Sequence, residues 1–193
     1  MRVSRAQVAE HRQRIIEVAS RRFRETGVGD TGIAALMEEA GLTHGGFYGH
    51  FDSKEALAVA AMEEAAERAV ATWESRVARA PDAPVQALLD GYLTTAHRDH
   101  PATGCAFVAL AADAARHKHR PFRRAFTHGL RRCVDVLQRA LPGRNGRAAR
   151  QQALAMFSGM VGAILLSRAV NDAELSAEIL SATRAWLARA SAT

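Results

Sequence analysis

Apolar residues recur at helical spacing along most of the chain. Ile33, Leu36, Met37 and Ala40 share one face of a short helix, and longer stripes with the same spacing follow it. No segment alternates Val, Ile and Thr with polar residues as a half-buried strand does. The pattern therefore predicts an all-α fold with about nine helices.

Clusters of Gly, Pro, Asn and Asp mark the ends of these helices. The breaks fall at residues 27–30, 41, 52–53, 81–84, 101–104, 119–121, 142–146 and 171–172. Residues 54–80 contain neither Pro nor Gly, so this segment predicts one long, unbent helix. A single helix is also predicted near residues 85–98.

Residues 41–57 read Gly-Leu-Thr-His-Gly-Gly-Phe-Tyr-Gly-His-Phe-Asp-Ser-Lys-Glu-Ala-Leu. Gly41 stands where a left-handed helix C-cap is expected, and Thr43 either caps a second short helix or contacts a phosphate. Two helices joined by a turn of three to four residues form the unit that enters a DNA major groove. Gly45 and Gly46 each weaken a helix by about 0.8–1 kcal/mol relative to Ala, so close backbone approach to another surface explains them better.

Residues 11–57 resemble the tetracycline-repressor (TetR) family of transcriptional regulators. The resemblance rests on the segments 11–16, 33–34, 40–43 and 47–57, together with Phe23 and Gly27. It implies a three-helix DNA-binding head over residues 1–53, a helical body over residues 54–193 that holds an inducer pocket and dimerises, and a homodimer. It covers about the first third of the chain.

The candidate DNA-contacting residues are Thr31, Thr43, His44, Gly45, Gly46, Tyr48, His50 and Lys54. His44 is the expected base reader, because it falls on the first turn of the recognition helix. The resemblance implies phosphate contacts from Tyr48, His50 and Lys54, while Tyr48 is alternatively half-buried with its hydroxyl in water. Thr31 is expected to cap the second helix and touch the DNA backbone.

Charge favours an anionic partner. The formal net charge is +6, and residues 1–25 hold seven arginines against three glutamates, so double-stranded DNA is the expected partner. A second basic cluster over residues 116–132 is either a solvated face or another anion-binding surface. No signal peptide is recognised, and the apolar run over residues 153–166 is shorter than the roughly 20 residues that cross a bilayer. A cytoplasmic protein without a membrane partner is expected.

The last two predicted helices are the expected dimer interface. Residues 153–166 are apolar on every side of the helix, which requires burial on every side. The resemblance implies a four-helix interface between two copies, with Met160, Ile164, Ile179 and Trp186 as candidates. The alternative is a central helix buried wholly within its own chain.

The expected ligand is a small apolar or amphipathic molecule in the body. The candidate pocket residues are Trp73, Tyr92, Cys105, Phe107, Phe126, Met156 and Phe157. Cys105 begins a predicted helix, and a helix N-terminus lowers the pKa of a thiol. Cys105 is therefore either a sensor of electrophiles and oxidants or a small buried apolar residue.

Enzyme signatures are missing from the sequence. It contains no GxSxG, P-loop or dinucleotide fingerprint, and its histidines lack zinc-site spacing. We therefore expect no catalytic residue, no metal and no cofactor. The predicted function is a repressor that binds a palindromic operator as a dimer and is released by a small-molecule inducer. The alternatives are a thiol-based sensor regulator that responds to electrophiles or oxidants through Cys105, and a non-specific nucleic-acid binder.

Overall fold

The computed structural model describes residues 4–116, 119–143 and 146–191, where every regular element is a helix. The nine α-helices there are α1 (Arg5–Asp30), α2 (Ile33–Glu39), α3 (Lys54–Arg79), α4 (Pro84–Tyr92), α5 (Thr95–Asp99), α6 (Ala106–Arg116), α7 (Arg120–Ala140), α8 (Arg147–Ala169) and α9 (Ala173–Ser191). Two 3-10 helices span His44–Gly49 and Pro101–Thr103. The predicted all-α fold is confirmed. Arg2 and Lys118, counted above among the basic residues, lie outside the described ranges.

A reciprocal capping box begins α1. The backbone N–H of Gln7 donates to Ser4 Oγ over 3.2 Å, and the Ser4 N–H donates to Gln7 Oε1 over 2.9 Å. The predicted break at residue 27 is a kink inside this helix, since Gly27 has φ 83° and ψ 165°. That positive φ suits glycine, and the helix resumes over residues 28–30.

The end of α2 forms a Schellman turn. Gly41 has φ 69°, its N–H donates to the Glu38 carbonyl over 2.9 Å, and the Leu42 N–H donates to the Met37 carbonyl over 2.8 Å. The left-handed cap predicted at Gly41 is confirmed. Because this turn fixes the path of the chain after α2, it sets the orientation of the segment from Thr43 onward.

The long helix α3 joins the head to the body. Ser53 Oγ accepts from the Ala56 N–H over 3.1 Å, and the helix then runs 26 residues, or about 39 Å. It packs between α1 and α7, and one continuous hydrophobic core extends from the head into the body. The division between residues 53 and 54 therefore remains a prediction.

The single helix predicted near residues 85–98 is wrong, because two helices occupy this segment. The backbone leaves helical geometry at Leu93, with φ −86° and ψ 67°. Thr94 Oγ1 then accepts from the His97 N–H over 3.0 Å and caps α5. The sequence favoured one continuous helix because Leu93 continues the apolar spacing of α4. In the structure Leu93 is buried, but the backbone bends at this residue.

Helix α8 packs one face into its own chain. Met160 and Ile164 are fully buried there, so the prediction that they contact a partner subunit is wrong. The helix spans 23 residues, and within the described part of the chain it is the single helix that is long and apolar enough to cross a membrane, by length and composition alone. The expectation that this segment is too short is therefore corrected, although a buried core helix meets the same criteria.

Gly129→Ala is expected to destabilise the fold by about 1–3 kcal/mol, because it overpacks the contact between α7 and α3. An added Cβ would lie 2.5 Å from Ala66 Cβ and 3.2 Å from Phe107 Cζ. The free energy of unfolding in urea measures the effect. Gly29→Ala is the control, since no atom lies within 4 Å of its added Cβ. Equal stability of the two variants would contradict this packing.

Candidate functional site

An exposed segment of the head runs from Thr43 to His50. Behind it, Phe47 and Phe51 are buried with stacked rings 5.9 Å apart, which fixes the segment to the head core. Thr43, His44 and Gly45 lie on the solvent side. The predicted recognition helix is therefore present, but as a 3-10 helix. Because two glycines stand near its start, no bulky side chain covers the exposed backbone there.

Two threonines differ from their predicted capping roles. Thr43 occupies the N-cap position of the 3-10 helix, but its exposed hydroxyl makes no capping hydrogen bond. Thr31 is buried, and its hydroxyl donates to the Gly27 carbonyl over 2.7 Å. The N-cap of α2 is Gly32, so the prediction that Thr31 caps α2 is wrong. The Thr31 hydroxyl thus bonds to the kink residue of α1 and does not face solvent.

Tyr48 and His50 lie in the second half of the exposed segment, and Lys54 follows it at the start of α3. Tyr48 is 65% exposed, which excludes the half-buried alternative. His50 Nδ1 is buried without a partner, and burial, followed by the nearby His11 and Arg12, lowers the pKa of His50. Lys54 Nζ donates to the Gly29 carbonyl over 2.9 Å and retains further donors.

The arginines of α1 differ in what they contact. Arg14 pairs with Glu10, while Arg21 and Arg22 both pair with Glu39 on α2. The Arg12 guanidinium lies 4.8 Å from the centre of the Phe51 ring, beside the exposed segment.

Arg24 faces the body instead of the DNA-side surface, because it lines a partly open cavity. The positive charge that the sequence places on α1 is thus only partly available at the head surface.

A cavity of about 690 Å³ lies between the second half of α1 and the body. It brings together five of the seven predicted pocket residues, namely Trp73, Tyr92, Cys105, Phe107 and Phe157. Their rings meet edge to face, with Trp73–Phe157 centroids 5.8 Å apart and Phe107–Phe157 centroids 5.5 Å apart. Such a volume accommodates a small organic molecule.

Phe126 and Met156 do not line this cavity, so their assignment as pocket residues is corrected. Phe126 packs against the outer side of the Phe107 ring, with the centroids 5.2 Å apart. Met156 is buried in the core, one residue before Phe157 and thus about a quarter-turn around α8 from it. Sequence reasoning also missed the polar lining from α1, Ser20 and Arg24, because this helix was assigned to the head.

Cys105 lies directly before α6, as predicted, but its thiol is not activated. Burial raises the pKa of Cys105, although the Tyr92 hydroxyl and the backbone N–H groups of Phe107 and Val108 act in the opposite direction. The expectation of a lowered thiol pKa is therefore wrong, because desolvation outweighs the helix N-terminus. Burial likewise raises the pKa of Cys133 to about 12.

His97 ties the α4–α5 corner to the start of α6. Its Nδ1 lies 2.7 Å from the Tyr92 carbonyl, and its Nε2 accepts from the Cys105 N–H over 2.9 Å. These two bonds assign the tautomer with the proton on Nδ1. Burial lowers the pKa of His97, which favours this neutral form.

An apolar stripe on α8 and α9 remains exposed. The large residues on it are Leu154, Leu165, Leu166, Leu175 and Trp186, and Trp186 is 59% exposed. Ile179 is partly buried against the core. Of the four predicted interface residues, Trp186 lies on this stripe and Met160 and Ile164 lie on the opposite, buried face of α8. This surface is of the kind that marks a protein–protein contact.

The fold and the head define a helix-turn-helix protein with an all-helical body. Residues 15–69 match the model described as bacterial regulatory proteins of the tetR family. Over these residues the chain has the sequence of a TetR-family head.

Two curated relatives match part of the chain. The chain is 43% identical over 54 residues to YerO of Bacillus subtilis strain 168, described as an uncharacterized helix-turn-helix-type transcriptional regulator. That match covers 28% of this chain and 19% of the relative. It is 38% identical over 63 residues to the helix-turn-helix-type transcriptional regulator TtgR of Pseudomonas putida, which is 33% of this chain and 30% of that one. The matches thus span less than a third of either relative's length.

Solved structures share the fold over nearly the whole chain. The reduced form of NemR from Escherichia coli superposes with a TM-score of 0.79 at 22% identity, covering 93% of this chain and 97% of NemR. A TetR transcriptional regulator from Chloroflexus aurantiacus gives 0.77 at 24% identity, covering 95% of both chains. At these identities the likeness establishes the fold of head and body together.

Proposed function

We propose that this protein is a transcriptional regulator, acting as a repressor, that binds a palindromic DNA operator as a homodimer. The observation that carries the proposal is the exposed Thr43–His50 segment, which a Schellman turn orients and two buried phenylalanines hold from behind. Such a fixed, projecting segment after a short helix is what reads a major groove.

The side chains of the head suggest a division of roles. Thr43, His44, Gly45 and Gly46 present a hydroxyl, an imidazole and open backbone toward base edges and the adjacent phosphate.

Tyr48, His50 and Lys54 form the phosphate-contacting rim. Since the pKa of His50 is lowered, this residue contributes an N–H donor rather than a full positive charge. Lys54 supplies the ammonium of the rim, and its bond to the Gly29 carbonyl holds it near the end of α1.

We infer that the homodimer forms through the exposed apolar stripe of α8 and α9. Leu165 and Leu166, 49% and 55% exposed, continue the stripe from Leu154 along one side of α8. The other face of α8 already packs into the chain's own core, so the apolar stripe has no partner within the part of the chain that the structure describes. A second copy of the protein is the simplest partner that would bury it.

The cavity between α1 and the body is the proposed inducer site. Ser20 and Arg24 of α1 line it together with aromatic residues of the body, so a ligand there contacts both parts of the chain. A ligand that binds the DNA-incompetent arrangement of the heads more tightly than the competent one shifts the population and releases the operator.

Cys105→Ser is expected to leave the response to electrophiles and hypochlorite unchanged, because burial raises the pKa of the thiol and reduces its thiolate fraction. Operator release after treatment of the wild-type and variant proteins measures this, and Cys133→Ser serves as the matched control. Release from the wild type alone would establish the alternative, a thiol-based sensor that acts through Cys105.

Competition between a selected operator and bulk DNA tests the proposed function. A sequence reader keeps a preference of about 10³-fold or more for its operator at physiological salt. A non-specific nucleic-acid binder loses both complexes together as salt rises, and that outcome would refute the proposal.

A further inference from the structure

Two buried polar atoms of α1 lie at the cavity without a hydrogen-bond partner in the described part of the chain. They are Ser20 Oγ and Arg24 Nε, about one helical turn apart, and both residues line the cavity. Ser20 is only 5% exposed. Buried polar groups in folded proteins normally have a hydrogen-bond partner, so this grouping indicates a site whose partners come from a bound molecule.

Unbalanced positive charge lies at the same cavity. Arg21 and Arg68 also line it, but Glu39 pairs with the former at 3.1 Å and Glu17 with the latter at 3.1 Å. Arg24 and Arg76 have no acidic partner among the residues that the structure describes.

The hydrogen bond that Arg24 makes to the body is long. Its Nη1 donates to the Gly104 carbonyl over 3.4 Å, and burial, followed by the nearby Arg68, lowers the pKa of Arg24. Water can satisfy the Ser20 hydroxyl, but an anion also neutralises the charge of a partly buried guanidinium that has no acidic partner among the described residues.

Part of the cavity lining is aromatic. Trp73, Phe107 and Phe157 are buried around it and contribute ring faces and edges with no polar group that needs a partner apart from the indole N–H. A molecule that matches this lining combines one small anionic group with an apolar body.

We propose that the cavity binds an amphipathic organic anion, an aryl or acyl carboxylate. Its carboxylate accepts hydrogen bonds from Arg24 and Ser20, and its apolar body lies against Trp73, Phe107 and Phe157. That this molecule acts as the inducer rests on the proposed function. Because Arg24 and Ser20 belong to α1, the carboxylate contacts the helix whose first half, at His11 and Arg12, lies beside the recognition segment.

Calorimetry on the full chain without DNA tests the ligand class. The probes are 4-phenylbutyrate and octanoate, each compared with its neutral primary amide. Each acid is expected to bind about tenfold or more tightly than its amide, because only the acid forms a charge-assisted pair with Arg24. Equal binding of acid and amide, or no binding of either acid at about 1 mM, overturns the proposal.

Substitutions in α1 test whether Arg24 causes the preference for the acid over the amide. Arg24→Gln is expected to bring acid and amide to within about twofold of each other, and Arg24→Lys to restore part of the preference. Arg21→Gln is the matched control, because it lines the same cavity but already pairs with Glu39. An unchanged preference in Arg24→Gln, with thermal unfolding like that of the wild type, excludes Arg24 as the anchor and overturns the assignment.

A parallel binding assay with operator DNA separates this inference from the proposed function. If the ligand-free protein binds operator and no carboxylate is preferred, the ligand class is wrong and the regulator stands. If carboxylates bind as expected and no operator is found, the cavity assignment stands and the regulatory role fails.

Discussion

Leu165→Glu is expected to convert the protein to a monomer and to abolish operator binding without unfolding the chain. Leu165 is 49% exposed on the apolar stripe, so the charge meets solvent in the monomer and is buried in the proposed dimer. Loss of the second head removes an avidity of about 10²–10⁴-fold. Sedimentation measures the mass, and binding to a selected operator measures the affinity.

Two further substitutions make this result specific. Ala71→Glu adds the same charge at an exposed position of α3 and is expected to leave mass and binding unchanged. Met160→Glu places the charge in the chain's own core, so it is expected to lower the melting temperature. A Leu165→Glu protein that remains dimeric would refute the proposed interface.

His44→Ala is expected to weaken binding to the operator by about 1–3 kcal/mol for each lost base contact while leaving binding to random DNA unchanged. His44 lies exposed at the start of the 3-10 helix, where a side chain reaches base edges. Titration of the variant against operator and random duplexes at one salt concentration measures the difference.

Lys54→Ala is the matched comparison, because a phosphate contact carries no sequence information. It is expected to weaken binding evenly across sequences and to reduce the salt slope by about 1. If His44→Ala weakens binding to both duplexes equally, His44 does not read bases.

The helical periodicity predicted the main helices, and the string from Gly41 to Leu57 predicted the family and the helix-turn-helix. Local signals sufficed there, because a glycine with positive φ and two buried phenylalanines at fixed spacing determine the turn. The 3-10 geometry of the recognition segment was not predicted. Its bond pattern depends on how Phe47 packs into the head, which is tertiary information.

The body was less predictable, because apolar spacing identifies a buried face without naming what covers it. On α8, Met160 and Leu165 look equivalent in the sequence, yet the first is fully buried in its own chain and the second is exposed. Arg24 illustrates the same difficulty for charge. It looked like one of several head arginines, and only the packing of α1 against the body places it at the cavity.

Selection of bound duplexes from a random DNA pool shows directly whether the protein reads a DNA sequence as a homodimer. We expect enrichment of one palindromic motif whose half-sites lie about 10–10.5 base pairs apart, or a small multiple of that spacing. Recovery of bound DNA without any enriched motif would contradict sequence-specific recognition and identify the protein as a non-specific binder.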